Sequence, residues 1–262
     1  MPVYKVEGIV LGRRNLGEAD RVLTLLTREY GKLAVKAKAV RRPSSRLAGR
    51  LEPFTHARFL LARGRTLDVV AQVEVITSFA SLRADLLRTA WAAVCAELTD
   101  RMLQGLDPHP EVFETLLQAQ EALAGGDPEM ATLWYALRLV RHLGYGPVLD
   151  RCARCGRSVQ GNGAWQILAG GLLCATCALQ DPQAPGIRGE TVGALRFLSR
   201  ARPRELARLR LSASARAEAV DALVTYAEAH FEGRLRSLGV LRTLQVPSVA
   251  PRGEDILETR TP

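Results

Sequence analysis

The sequence predicts a multidomain α+β protein: an N-terminal five-stranded β-barrel, then an all-α helical domain with an inserted four-cysteine module. Three observations carry this reading. Residues 1–80 divide into five short β-forming runs separated by turn residues. From Leu82 the apolar period changes to one residue in four. Two C-x-x-C pairs, Cys152/Cys155 and Cys174/Cys177, then interrupt the helical pattern. With 262 residues, 47% of them apolar, the chain can bury a core and form one large or two to three small domains.

The first strand is expected over Val3–Arg13, where Val3, Ile9 and Val10 are β-formers, with a turn at Asn15-Leu16-Gly17. Arg21–Thr27 is the second strand. Gly31, able to take a positive φ, closes a tight connection to the third, Leu33–Val40. His56–Ala62 and Asp68–Ile76 are the fourth and fifth, the last alternating Val69, Ala71, Val73, Val75. Five antiparallel strands of this length fit a small closed barrel of the OB type, with an SH3-like barrel as the structural alternative. Beyond it, Leu82, Leu86, Ala90, Val94, Leu98 and Met102 predict one long helix, and Cys95 within it reads as a small core residue. Helices follow over Glu111–Leu123 and Pro128–Leu143, each closed by glycine, then over Gly189–Arg200 and Ala213–Leu238. The expected domains are a barrel (1–80), a helical domain in two parts (81–146 and 186–245), a cysteine module (147–185) and a disordered tail (246–262) with no periodicity.

Charge is concentrated at the front. Residues 1–80 hold 15 Lys and Arg against 7 Asp and Glu, a net of +8 in a chain whose total is +9. Within them Arg28–Arg50 carries Arg28, Lys32, Lys36, Lys38, Arg41, Arg42, Arg46 and Arg50 against Glu29 alone. Lys36 and Lys38, two apart, point the same way if both lie on a strand. A strand feeding a basic loop suits a polyanion, and nucleic acid is the usual one. The candidate contacts are Lys32, Lys36, Lys38, Arg41, Arg42, Arg46 and Arg50, joined by Arg13 and Arg14; a solvated charged hairpin is the plainer alternative. Aromatic residues are only 5% of the chain. Binding is therefore expected to rest on phosphate contacts, with weak base readout and steep salt dependence. Tyr30 and Phe54 read first as core residues, with stacking on one base as their other possible use.

The two C-x-x-C pairs have the form of a four-thiolate zinc site, Cys152, Cys155, Cys174 and Cys177, with Gly156 allowing the first knuckle to turn. Trp165–Leu168 and Gly170–Leu173 can form the hairpin that brings the second pair to the first. Four thiolates close the tetrahedron, so one Zn²⁺ is expected in a structural role. Arg151, Arg154 and Arg157 beside the first pair could touch phosphate or simply be solvated. His56, His109, His142 and His230 are isolated and show no metal spacing. The phosphate-cradling glycine motifs and the nucleophile elbow are absent, and Glu18 and Asp20 beside Arg21 read as surface ion pairs. No run of 18 apolar residues suggests a membrane span and the N-terminus lacks a secretory pattern, so a cytoplasmic chain with reduced thiols is expected.

The order of features resembles the RecO family of bacterial recombination mediators, of the RecF pathway of DNA repair. The resemblance lies in Gly8–Phe54, including the G-E-A-D-R segment and Lys38–Pro43, and in Ala71–Arg88, Leu137–Gly156 and Gly170–Cys177. The family generally has a glycine where Val40 stands. The resemblance implies an OB-fold, a helical domain carrying the zinc module, and activity without turnover at the nucleoid. It implies binding of single- and double-stranded DNA and annealing of complementary strands. It also implies cooperation with RecR in loading RecA onto strands coated by single-stranded DNA-binding protein (SSB). An apolar helical groove near Arg138 and Arg141 is a candidate for SSB's acidic tail. The competing readings are an OB-fold-plus-zinc factor for RNA or transcription, and a nuclease, for which the basic head offers few acids.

Overall fold

A computed structural model describes residues 2–245. The expected tail, 246–262, lies outside the described residues. The first five strands are β1 (Val3–Leu16), β2 (Asp20–Thr27), β3 (Gly31–Ala37), β4 (His56–Ala62) and β5 (Asp68–Thr77). They close into a barrel in the order β1-β2-β3-β5-β4, with β1 also paired to β4. This is the Greek-key closure of the OB-fold, and it decides between the two barrel readings. One pairing departs from expectation. β3 and β5 run parallel, at Val35↔Asp68 and Lys36↔Val69, because the long loop after β3 returns the chain through β4 before β5 closes the barrel.

Two boundaries also move. β1 continues to Leu16, pairing Asn15 with Arg21 and Leu16 with Asp20, so the turn falls on the residues from Gly17 to Ala19. β3 stops at Ala37, and Lys38 lies in the turn beyond it rather than on one strand face with Lys36. The chain breaks there because Ala39 takes a left-handed φ of 51°, a conformation that leaves the β ladder. Val40 is buried in the barrel core.

Barrel strands bury both faces. Val10, Leu23, Leu25, Val35, Phe59 and Leu61 fill the interior. Ile9, Leu11, Leu26 and Phe54 point the other way and join the core of the helical domain. That domain begins with α1 (Ala80–Ala84) and α2 (Leu86–Met102). The single helix expected from Leu82 is broken at Asp85, whose carboxylate accepts the Arg88 N–H at 2.8 Å and so caps a new helix. Leu86, expected on the buried face, is 64% exposed. Helices α3 (Pro110–Gly125) and α4 (Pro128–His142) pack on α2. Cys95 is fully buried there.

The cysteine module follows, with β6 (Gly163–Gln166) and β7 (Gly171–Leu173) paired antiparallel and α5 (Ala175–Leu179) after them. The expected hairpin forms, but its first strand lies two residues earlier than Trp165–Leu168, with Ile167 and Leu168 in the turn, and a third strand, β8 (Gly186–Ile187), joins β6 from beyond residue 185. Arg196, on α6 (Gly189–Arg200), donates to Leu149 O and Val159 O, each at 2.7 Å, tying the module to the bundle.

The last long helix is two helices, α7 (Ala213–Glu228) and α8 (Arg236–Gln245). Gly233 takes φ +94°, and the Glu228 carboxylate accepts the Leu235 N–H at 2.8 Å. Glu97 of α2 then accepts the N–H groups of Arg236 (3.0 Å) and Ser237 (2.8 Å), an anionic cap for the α8 N-terminus.

Barrel and bundle meet through more than apolar contact. Gly31, at φ +61°, lies so close to the bundle that a Cβ there would sit 2.2 Å from Asp107 O. Lys32 Nζ pairs with Asp100 at 3.0 Å, Arg28 pairs with Glu114, and the His56 ring meets Phe113 edge-on at 5.8 Å. Removing an apolar side chain from the shared core should destabilise both units. Leu26→Ala is expected to cost about 2–5 kcal/mol and to lower the denaturation midpoint of barrel and bundle together; an unchanged midpoint would contradict the shared core.

Candidate nucleic-acid interface and metal centre

The loop from Lys38 to Thr55 is basic outside and apolar at its anchors. Val40 and Leu51 are buried in the barrel core, and Leu47 and Ala48 pack against it. Lys38, Arg41, Arg42, Arg46 and Arg50 are exposed. The near end is pinned by Asp20, which accepts the Ala39 N–H at 2.7 Å and pairs with Lys36 Nζ at 2.9 Å. The Arg41 N–H donates to Ala19 O at 2.9 Å and its guanidinium to Gly17 O at 3.0 Å. Arg42 N–H to Ala39 O (3.2 Å) and Ser45 N–H to Arg42 O (2.9 Å) then turn the chain. The loop is thus a held platform.

The structure sorts the sequence candidates. Lys38, Arg41, Arg42, Arg46 and Arg50 share this loop. Lys36 is paired with Asp20 and Lys32 with Asp100, so both are partly committed. Arg13 pairs with Glu52, which also lies 3.7 Å from Arg21. Arg14, the next residue of β1, is exposed. Phe54 is in the core at 4% exposure, whereas Tyr30 is 40% exposed.

The helical part of the chain carries a second cationic segment that whole-domain charge totals conceal. Arg196–Arg216 holds seven arginines against Glu205 alone. Arg202, Arg204, Arg208 and Arg210 are exposed in the α6–α7 connection, whose 3-10 turn, Pro203–Arg208, packs on α3 and α4. A windowed charge count would have found it. Of the two arginines near the expected groove, Arg138 donates to Ala201 O at 2.9 Å and lies 5.7 Å from the Trp134 ring centroid. Arg141 lines a cleft of about 510 Å³ with Leu149, Asp150 and Arg151, so the expected apolar groove is here a mainly polar cleft that one acid shares with the two arginines.

The four cysteines converge. Gly156 N–H donates to Cys152 O at 2.9 Å with Gly156 at φ +74°, forming the first knuckle. Ala153 N–H donates to Leu172 O at 2.7 Å and fixes that knuckle to β7. Cys174 precedes α5 and Cys177 lies on it. All four sulfurs fall within 4.8 Å of one another, and Cys155 Sγ lies 3.7 Å from Cys174 Sγ. A tetrahedron with metal–sulfur bonds of about 2.3 Å has edges of about 3.8 Å, so the donor set fits one ion. A disulfide would need about 2.05 Å. The Arg157 side chain beside Cys155 pulls its thiol down to about 6. Burial, then the neighbouring thiols, pushes Cys177 up to about 12. Four thiolates this close repel, and only a bound cation lets all of them ionise together. Arg154 supports the knuckle by donating to Cys177 O (3.2 Å) and Asp181 (2.7 Å). The histidines stand elsewhere: His56 against Glu7, His142 against Thr115, His109 near Glu111 and His230 between Tyr145 and Tyr226.

An OB-type barrel fixed to a helical bundle that carries a four-cysteine module places the chain among multidomain OB-barrel proteins. Comparison with known proteins narrows that class. A family profile described as Recombination protein O N terminal matches residues 1–79, and one described as Recombination protein O C terminal matches residues 83–239. The chain is 36% identical over 267 residues to DNA repair protein RecO of Desulfitobacterium hafniense (strain Y51), covering 99% of this chain and 97% of the relative. To the protein of that name from Bifidobacterium adolescentis it is 38% identical over 248 residues (92% and 100%). To that of Bacillus subtilis (strain 168) it is 36% identical over 194 residues (74% and 76%). The chain belongs to the RecO family of DNA repair proteins. Among the described residues, no helix is long and apolar enough to cross a membrane.

Two outcomes follow from the anchoring and the thiol cluster. Asp20→Ala should speed hydrogen exchange at the Ala39 amide while the barrel stays folded. The Ala39 N–H, then Lys36, hold the Asp20 carboxyl below its ordinary value of 3.8. Its tether is therefore intact above that value and lost as pH falls through the lowered one. Cys152→Ala should abolish stoichiometric metal in elemental analysis and lower the thermal midpoint, with little effect on oligonucleotide affinity. A well-folded, metal-free variant that no longer bound DNA would point instead to direct contact by the module.

Proposed function

We propose that the protein is a non-enzymatic recombination mediator that binds single- and double-stranded DNA by phosphate contacts and anneals complementary strands. The observation that carries this reading is the anchored basic loop, five exposed cations on a backbone held by Asp20, Val40 and Leu51. Annealing requires two polyanions to approach. A dense cationic surface lowers their repulsion and releases counterions. Weak base readout suits the task, because the bases must stay free to pair. The exposed arginines at 202, 204, 208 and 210 offer a second phosphate surface on a different element, so two strands could be held by one molecule.

We infer further that the thiol cluster holds one structural Zn²⁺, since four soft donors in a closed tetrahedron suit that ion and leave no open position. In this reading the protein works with RecR to load RecA onto SSB-coated strands at the nucleoid. The cleft beside Arg141 and Arg151 would take SSB's acidic tail.

The test is annealing of complementary oligonucleotides, bare and SSB-coated, with pull-down against RecR and SSB. Replacing Lys38, Arg41 and Arg42 by Ala should weaken DNA binding and reduce the single-strand salt slope by about 2, roughly 0.7 per cation lost. Metal content should be unchanged. Unaltered affinity and slope would remove the loop from the interface.

A further inference from the structure

The far end of the basic loop is set by a turn that its residues do not favour. Glu52 O accepts the Thr55 N–H at 3.2 Å, closing a β-turn with Pro53 second and Phe54 third. Phe54 takes φ +73°. Proline in second place and a positive φ in third mark a type II turn, whose third residue is ordinarily glycine. A phenylalanine there is strained. Type I avoids that strain, and the two types differ in which way the central peptide faces. In this turn both sides of that peptide are engaged. The Phe54 N–H donates to Val10 O at 2.8 Å, and Pro53 O accepts from the Arg83 guanidinium at 2.8 Å.

Arg83 lies on α1, outside the barrel. The nitrogen that reaches Pro53 O, Nη1, also donates to Ser78 O at 2.7 Å. Ser78 precedes Phe79, which takes φ +47°. Each acceptor is therefore the carbonyl just before a left-handed phenylalanine. One ends the basic loop and the other opens α1, and a single guanidinium ties them at one point. The turn in its turn aims charge. Glu52, its first residue, pairs with Arg13, and Arg50 lies two residues before it.

We propose that Arg83 is a positioning residue for the basic loop: from the helical side it holds the Pro53–Phe54 peptide in the type II orientation and so fixes the loop's far end. The inference rests on the reading that this loop binds DNA, and adds that the helical domain sets its geometry. Without the Arg83 donor the peptide is free to turn over, giving residue 54 the negative φ that a phenylalanine prefers. The loop then leaves the barrel in two ways, and DNA must order it on binding. Arg83 acts through backbone and not through phosphate. Its loss changes affinity without changing the number of counterions released.

The experiment measures binding of the full chain to single-stranded and duplex oligonucleotides over a salt series, with hydrogen exchange at the Thr55 amide, which closes the turn. Arg83→Met keeps the apolar stem and removes the donor. It should weaken binding to both forms of DNA about ten-fold, the equivalent of ordering one further residue. The salt slope should stay unchanged and Thr55 exchange should speed up. Arg83→Lys, which retains a donor, should recover most of the affinity and the protection. A single-strand salt slope reduced by about 0.7, with Thr55 still protected, overturns the proposal in favour of direct phosphate contact by Arg83. Should Arg83→Met not fold, Arg83→Gln, whose shorter amide holds the carbonyls less well, is the milder variant read by the same outcomes. Wild-type protein that binds no oligonucleotide refutes the reading of the loop itself. Wild-type binding that the Arg83 variants leave intact refutes the role of Arg83 alone.

Discussion

The first two strands serve two hydrophobic cores at once, and most of the architecture follows from this. In an ordinary small barrel one face of each strand fills the interior and the other meets water. Here Val10 and Leu25 fill the interior while Ile9, Leu11 and Leu26, on the opposite face, belong to the bundle's core. Burying an apolar side chain is worth about 1.5–3 kcal/mol, so this shared face is a substantial part of what keeps the two units together. It also determines which cations remain available. Docking brings Arg28 and Lys32 against Glu114 and Asp100, and leaves the loop beyond β3 on the solvent side.

The electrostatics of the front then depend on how few acids reach it. Asp20 and Glu52 are the acids at the two ends of the loop, and both have structural work. Asp20 holds the left-handed turn at Ala39, and Glu52 pairs with Arg13. Exposed ion pairs contribute little in water, so a polyanion can exchange with them at small cost. The loop's own cations need no such exchange. Anchoring by buried Val40 and Leu51 also spares much of the ordering entropy that a loose arginine loop would lose on binding.

The cysteine module is part of the bundle rather than an appendage. Trp165 meets Tyr226 of α7 at 5.5 Å, and Tyr226 donates its hydroxyl to Tyr145 O at 3.0 Å. An ion held by Cys152 and Cys177 would therefore also set a wall of the helical core. This suits a structural ion better than a reactive one, because motion at an open coordination site would be transmitted into close-packed side chains.

Much of the fold and part of the site were legible in the residues. Alternation placed five strands, four-residue spacing announced helices, and the C-x-x-C pairs marked the four thiols that converge, because each is a local pattern imposed by backbone geometry. What depended on distant partners was not legible. Nothing local says that Asp85 will cap a new helix, or that Glu97 will receive the start of α8 from across the bundle. Tyr30 and Phe54 look alike as sequence, yet one is buried by the bundle and the other is left in solvent. Composition and spacing by themselves determined that there is a cationic front, a barrel and a thiol centre. Only the tertiary structure decided which charges are already spent, which strand closes the barrel in parallel, and which aromatic ring faces water, because each is set by contact between segments far apart in the chain.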